Sequence, residues 1–461
     1  MTKEEMQTFF SGMNKQIFIS DLWNHKEEFF NPEDESVIGT VYHNSGLYII
    51  YILQGELDKA TAIVDSYKTL PIVYFPMKIV DPTISQDFFL DLFEQYPGLS
   101  LEGTLSITCG RPYILNGFAD FSNRGHKFEQ RRDYIIKLLS TLYGSKNSGF
   151  LYDVCLAEYY YQIDKCYEAE VLISHAIKSI ADIADVRCLF VALFQQLLLL
   201  IVTRQCPSIT GYFKEMREKL SKQGSQEIMY NLAAMEVWVA SYEGNSELII
   251  NWMKTDAPDE YGDFNMLDLF RYTVKLRCYL MMENHIALVA LVEKLRPLLE
   301  RSHRLKDLCL IEYILAMSLH AQGRKDEAFV VLERALAISK ANNYNRLAAD
   351  EGDRMLQLLL DYYKLHNGDE YVHMLIDITR KIAIYYPYYL HIATKNGKHF
   401  TEIEIDILRL LEQGKNNQEI AECYLISVNT VKYHLKKIYS KLNVSSANAA
   451  VWQAKITGVI K

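Results

Sequence analysis

The feature that most constrains this chain is a recurring pair of helix-length apolar segments joined by a short polar or Gly-containing turn. It occurs in GLYIIYILQGELDKATAIVDSY (Gly46 to Tyr67), CLAEYYYQIDKCYEAEVLISHAI (Cys155 to Ile177) and YILAMSLHAQGRKDEAFVVLERAL (Tyr313 to Leu336). With only ten prolines in 461 residues and no long strand-like alternation, helices joined by short turns should dominate. The expected fold class is all-α.

Setting Ala60, Ala169 and Ala328 in register makes Leu47, Leu156 and Leu315 equivalent, then Tyr51, Tyr160 and Leu319, then Val64, Ile173 and Leu332. This pattern resembles the tetratricopeptide helix-turn-helix repeat, whose units stack into a superhelix with a concave inner face. Weaker copies at Val237 to Met253 and Leu276 to Val292 lack the small residue at the close-packing position. An irregular all-helical bundle is the alternative. Two stretches break the pattern: Leu99 to Lys127, with four glycines and Pro112, reads as loops, and Ile384 to His399, with the helix-stopping Pro387, reads as a hinge. The expected organisation is a helical-repeat sensor or interaction domain over 1–383, a hinge over 384–399 and a separate small domain over 400–461.

Charge divides along the same line. The part before Phe400 holds 41 Lys plus Arg against 52 Asp plus Glu, and the tail holds 8 against 6. From Cys423 to the end there are six lysines and no acid, a local basic surface on an acidic chain that suggests a polyanion partner. The eight cysteines (Cys109, Cys155, Cys166, Cys188, Cys206, Cys278, Cys309 and Cys423) form no CxxC pair and read as reduced thiols. The N-terminus lacks the basic start and apolar run of a signal peptide. The most apolar stretch, Cys188 to Val202, is interrupted by two glutamines and suits a buried helix better than a membrane span. A cytoplasmic protein without membrane contact is expected.

In the tail, Thr401 can cap a helix that Glu404 closes three residues later, with Ile403, Ile407, Leu410 and Leu411 as its buried stripe. Gly414 ends it. A second helix, Asn417 to Tyr424, turns Ile420 and Ala421 inward, and Ser427 caps a third, Val428 to about Leu442. On the third helix Val428, Val431, Leu435, Ile438 and Leu442 form the inner face. That leaves Asn429, Thr430, Lys432, Tyr433, His434, Lys436, Lys437 and Lys441 for the outside or the edges. This is how a helix-turn-helix reads. A 15-residue helix is about 22 Å long and fits the major groove, where its lysines can neutralise phosphates with counterion release. With Ser427, these outward residues are the candidate DNA contacts.

These residues resemble the LuxR-type helix-turn-helix: L-T-x-R-E, then G-x-S-N-x-E-I-A, then I-S-x-x-T-V-K-x-H-x-x-x-I-Y-x-K-L-x-V. Thr401, Glu404, Gly414, Asn417, Glu419, Ile420, Ala421, Ile426, Ser427, Thr430, Val431, Lys432, His434, Ile438, Tyr439, Lys441, Leu442 and Val444 fill it. The resemblance implies that the third helix is the recognition helix, that Lys432 and Lys441 meet phosphates, and that a fourth helix near Ser446 to Ile456 makes a dimer contact. Ile403 and Ala447 stand where the family favours Arg, and Asn416 stands for its usual Ser. Losing the two basic side chains at 403 and 447 is expected to weaken DNA binding or to alter how the first and fourth helices pack.

The stretches TCGRPYILNGFADFSNRG and YGSKNSGFLYDVCLAEYYYQ are similar to the helical-repeat half of the large ATP-dependent LuxR-type regulators of the MalT type. Those regulators carry a nucleotide-binding domain. No G-x-x-x-x-G-K-[ST] phosphate loop occurs here, so neither ATP-driven switching nor any other cofactor is expected.

Other chemistry is thinly supported. His366 and His373 lie seven apart with Gly368 between them and no companion ligands, so surface or core histidines are expected rather than a metal site. The tyrosine runs at Tyr159 to Tyr161 and Tyr385 to Tyr389 suit packing, with a ligand cleft as the alternative. No catalytic constellation is present. The reading is a bacterial transcription regulator that binds double-stranded DNA as a homodimer on two half-sites, under a small-molecule, peptide or protein effector at the repeats. The competing reading is a protein-interaction scaffold whose tail only dimerises.

Overall fold

A computed structural model of the protein describes residues 26–27, 37–70, 74, 77, 129–130, 132–143, 145–179, 186–204, 209–221, 226–262, 264–366, 368–386, 389–390, 400–442, 444–456 and 459–460. The expected loop region 99–127 and the stretch 391–399 of the expected hinge lie outside the described residues.

Among the described residues the regular structure is entirely helical. The first helices are α1 (Val37–Gln54), α2 (Leu57–Ser66), α3 (Arg132–Tyr143), α4 (Ser145–Gln162), α5 (Cys166–Ser179), α6 (Val186–Thr203) and α7 (Ile209–Ser221). Next come α8 (Gln226–Glu243), α9 (Ser246–Thr255), α10 (Leu269–Met281), α11 (His285–Arg301), α12 (Leu305–Ala321) and α13 (Lys325–Asn342). The short α14 (Asn345–Ala349), α15 (Gly352–Leu365) and α16 (Glu370–Tyr385) close the large part. The small domain contains α17 (Glu402–Glu412), α18 (Asn417–Tyr424), α19 (Val428–Leu442) and α20 (Ala447–Ile456). The helix α16 runs on past residue 383 to Tyr385.

Five helix pairs share one turn, which recurs at His303 between α11 and α12. Gly55, Asp164, Gly244, Glu283 and Gly323 each take a left-handed backbone between α1 and α2, α4 and α5, α8 and α9, α10 and α11, and α12 and α13. The amide that follows each reaches back to a carbonyl five residues earlier, as in Lys165 N to Tyr160 O at 2.8 Å and Arg324 N to Leu319 O at 3.1 Å. This bond satisfies a carbonyl orphaned at the helix end and reverses the chain. Five residues past each left-handed position sits a fully buried side chain: Ala60, Ala169, Ile249, Leu288 and Ala328. The two weaker sequence copies therefore keep the turn geometry with a larger residue at the packing position.

The apolar stretch expected to be a buried helix is one: in α6, Phe190, Val191, Leu193, Phe194, Leu197 and Leu199 are all buried. No helix among the described residues is long and apolar enough to cross a membrane. Distant helices are tied together by buried charge. Lys306 of α12 pairs with Glu158 of α4, and Arg346 of α14 reaches Asp164 at 3.0 Å and Asp350 at 2.5 Å. The Tyr161 hydroxyl donates to Asp350 at 2.6 Å. Of these paired charges, Glu158, Lys306, Arg346 and Asp350 lie buried between α4, α12 and α14. The hydrophobic core then continues without a break from Ile135 through α16 into the small domain as far as Ile460.

Candidate nucleic-acid interface

The small domain is built on its helix caps. The Thr401 hydroxyl accepts the Glu404 amide at 3.2 Å, and the Glu404 carboxylate accepts the Thr401 amide at 2.9 Å, closing a capping box on α17. Asn416 does the same for α18: its side-chain oxygen accepts from the amides of Gln418 (2.9 Å) and Glu419 (3.0 Å), and Glu419 returns to the Asn416 amide at 2.8 Å. Asn and Ser are equivalent caps, so the exchange of Ser for Asn416 leaves the start of α18 intact. Leu425 ends α18 in a left-handed conformation, φ 53°, with its side chain exposed. Ser427 then starts α19 by accepting the Thr430 amide at 3.1 Å.

Val431, Leu435, Ile438 and Leu442 of α19 are buried, and Val428 is half-buried. Ser427, Asn429, Lys432, Tyr433 and Lys436 are exposed, while Thr430, Lys437 and Lys441 are half-buried. The Lys437 ammonium lies 5.7 Å from the centre of the Tyr433 ring. Beside this face a depression of about 430 Å³ is lined by Asn417, Lys432, Leu435, Lys436, Tyr439, Ser440 and Val444. The helix thus presents hydrogen-bonding and cationic groups side by side, without an acid between them.

Two of the expected contacts are placed differently. His434, expected on the outside or the edge, is 1% exposed, and its Nε2 lies 3.0 Å from the Ile384 carbonyl at the end of α16. That carbonyl is one of the unpaired acceptors of a helix C-terminus, and His434 satisfies it. Burial holds the imidazole below its ordinary value of 6.5, against smaller upward pulls from the Ile384 bond and Glu404. Lys441 is the second. Its ammonium is paired with Glu404, which is 1% exposed, so in this structure it serves the domain's own core.

Of the two departures at basic positions of the family pattern, one is absorbed by packing, while Ala447 at the start of α20 is half-buried. Ile403 is buried in the core of the small domain. On α20, Ala450 and Ala454 are fully buried and let that helix lie against α17 and α19, while Trp452 is 65% exposed on the far side.

The large part also touches the start of α19. The Arg204 guanidinium at the end of α6 lies 5.0 Å from the centre of the Tyr385 ring and reaches the Thr430 hydroxyl at 3.4 Å. Neither Arg204 nor Ile384 was picked out by sequence reasoning, since no motif links positions 50 or 226 residues away from their partners.

Three short capped helices, the third offering a basic outer face, define a helix-turn-helix domain. Residues 398–454 match the family model described as bacterial regulatory proteins, luxR family, and this C-terminal domain is a LuxR-type helix-turn-helix. The chain is 44% identical over 67 residues to the HTH-type transcriptional regulator AlkS of Alcanivorax borkumensis, 14% of this chain and 8% of that protein. It is 43% identical over 68 residues to the transcriptional regulatory protein ComA of Bacillus subtilis, 15% of this chain and 32% of that one. To LiaR of the same organism it is 46% identical over 50 residues, covering 11% and 24%. The chain thus spans less than a third of the length of these relatives.

Proposed function

We propose that this protein is a transcription regulator that reads double-stranded DNA with α19, under control of its helical-repeat part. The exposed row Asn429, Lys432, Tyr433 and Lys436 carries the reading, because it joins two cations and two hydrogen-bonding side chains on a helix of a LuxR-type domain. Lys432 and Lys436 neutralise phosphates, Asn429 and Tyr433 meet base edges, and Ser427 and the first-turn amides hold a phosphate. Two copies dimerise through α20, with Trp452 at the contact, and bind two half-sites. The effector acts in the cytoplasm on the large part. It alters how Arg204 and Ile384 hold Thr430 and His434, and so governs whether α19 can enter a groove.

Binding of the full chain to random duplex DNA across a salt series tests this. A steep linear fall of log affinity with log salt is expected, reduced by about one unit of slope in Lys432→Ala. Absence of binding at low salt, for the wild type and for variants that loosen the contacts to α19, sinks the reading.

A further inference from the structure

The chain that leaves α16 is anchored twice. The Tyr386 hydroxyl donates to the Ile201 carbonyl near the end of α6 at 2.9 Å. Three residues later Tyr389 is fully buried, in a socket formed by α8 and the start of α15. Its ring stacks on Tyr242 with centroids 3.8 Å apart and planes inclined by 5°. Its oxygen accepts the Trp238 indole N–H at 3.1 Å and donates to the Glu351 carboxylate at 3.4 Å, a carboxylate that Arg277 holds from α10. The socket is shaped to the ring: Gly352 has φ +62°, and a Cβ there would lie 3.3 Å from Tyr389 Cδ1. Leu390, beside it, is fully buried as well.

These anchors flank the surface that receives α19. Ile384, which takes His434, and Tyr385, which carries Arg204 and through it Thr430, lie within five residues of Tyr389. A helix end is the part of a helix most ready to fray, and here the segment that would fray supplies one of the two contacts. Fixing that end is therefore a condition for docking. We infer that Tyr389 is a clamp: its phenol, seated in the Trp238–Tyr242–Glu351 socket, holds the end of α16 in place, and the recognition helix stays docked only while it is seated. The socket is at the same time a recognition site for a phenol, filled by the chain's own residue. A ligand presenting a tyrosine side chain or another phenol displaces Tyr389 and releases α19. This rests on the DNA-reading role proposed above, and its test reads the release without DNA.

Hydrogen–deuterium exchange at the amides of Val431 to Leu435 is compared in the full-length wild type, Tyr389→Ala and Tyr389→Phe, each with and without p-cresol. Exchange of these amides is expected to rise at least tenfold in Tyr389→Ala and by less in Tyr389→Phe, which keeps the stacked ring. In Tyr389→Ala, p-cresol should refill the socket and recover thermal stability while α19 keeps exchanging fast, because the tether remains cut. Wild-type exchange in both variants overturns the clamp, and so does recovery of α19 protection by p-cresol, which would mean that a filled cavity is enough. If Tyr389→Ala does not fold, Tyr389→Phe and p-cresol added to the wild type decide alone: faster exchange supports the clamp, unchanged exchange rejects it. Duplex binding then separates the two readings. Faster exchange without any DNA binding keeps the clamp and removes the DNA reader, whereas DNA binding with unchanged exchange does the reverse.

Discussion

His434, on α19, gives its Nε2 proton to the carbonyl of Ile384, fifty residues earlier at the end of α16, over 3.0 Å. The bond requires a proton on Nε2, which the neutral tautomer supplies, and burial disfavours adding a second. The imidazole accordingly titrates below 6.5 when docked. When exposed, it returns to the ordinary value, so the undocked state binds more protons as pH falls below about 6.5. Docking is at full strength above that pH and weakens from there down through the docked pKa. Histidine ring NMR should give His434 a pKa below 6.5, and the protection of the α19 amides, taken relative to the intrinsic exchange rate at each pH, should fall as pH is lowered from 7.5 to 5.5. A His434 titrating at or above 6.5 contradicts this account.

Lys432 and Lys441 should respond in opposite ways to loss of charge. Lys432 is exposed and bonded to no acid among the described residues, so Lys432→Ala is expected to leave the melting temperature nearly unchanged while lowering the salt slope of DNA binding. Lys441→Met leaves Glu404 buried without its cation, a loss of about 3–5 kcal/mol in comparable buried pairs. Thermal denaturation of both variants distinguishes a phosphate contact from a structural ion pair. Equal stability losses in the two would show that the division is wrong.

Much of the small domain was legible in the sequence. The caps at Thr401 and Ser427, the limits of α18 and α19 and the inner row Val431, Leu435, Ile438 and Leu442 follow from local periodicity and hydrogen-bonding chemistry, which a sequence carries directly, whereas the cap at Asn416 did not stand out. His434 did not, because a helical wheel shows only which side faces the domain's own core. His434 lies on a second buried side, created by the end of α16. Similarly, the run Tyr385 to Tyr389 read as packing or a cleft, with nothing local to indicate that Tyr389 would meet Trp238, 151 residues away. The two weaker copies of the helix-pair pattern were faint for another reason. Ile249 and Leu288 stand where the clearer copies have a small residue, while Gly244 and Glu283 keep the same turn backbone.

Ala328 lies fully buried where α13 turns back on α12, five residues after the left-handed Gly323. Ala328→Leu adds three carbons at a close approach between two helices and should cost about 1–3 kcal/mol through overpacking. Gly323→Ala acts differently, since a Cβ there meets nothing within 4 Å and only the φ of +76° opposes it. About 1 kcal/mol is expected from the backbone alone. Urea denaturation should rank the two in that order. A larger loss for Gly323→Ala would mean that turn conformation, rather than helix contact, limits the hairpin.

Leu425 is the one position in the helix-turn-helix where the residue works against its backbone. It ends α18 at φ 53°, ψ 42°, a conformation that costs an ordinary L-residue roughly 1–2 kcal/mol, and its side chain is 83% exposed, recovering little by burial. The backbone has a clear purpose. The Ile426 amide reaches the Ala421 carbonyl at 2.9 Å, which closes α18 and sets the angle at which α19 begins. Leu425→Asn keeps that bond and suits the left-handed region better, and Leu425→Gly removes the Cβ clash altogether. Each should stabilise the domain by about 0.5–1 kcal/mol, read as a rise in melting temperature, with unchanged DNA affinity under conditions where α19 is free. If both variants destabilise, Leu425 must gain from a contact that its exposure does not show, and the turn between α18 and α19 would be held by that side chain rather than by its backbone.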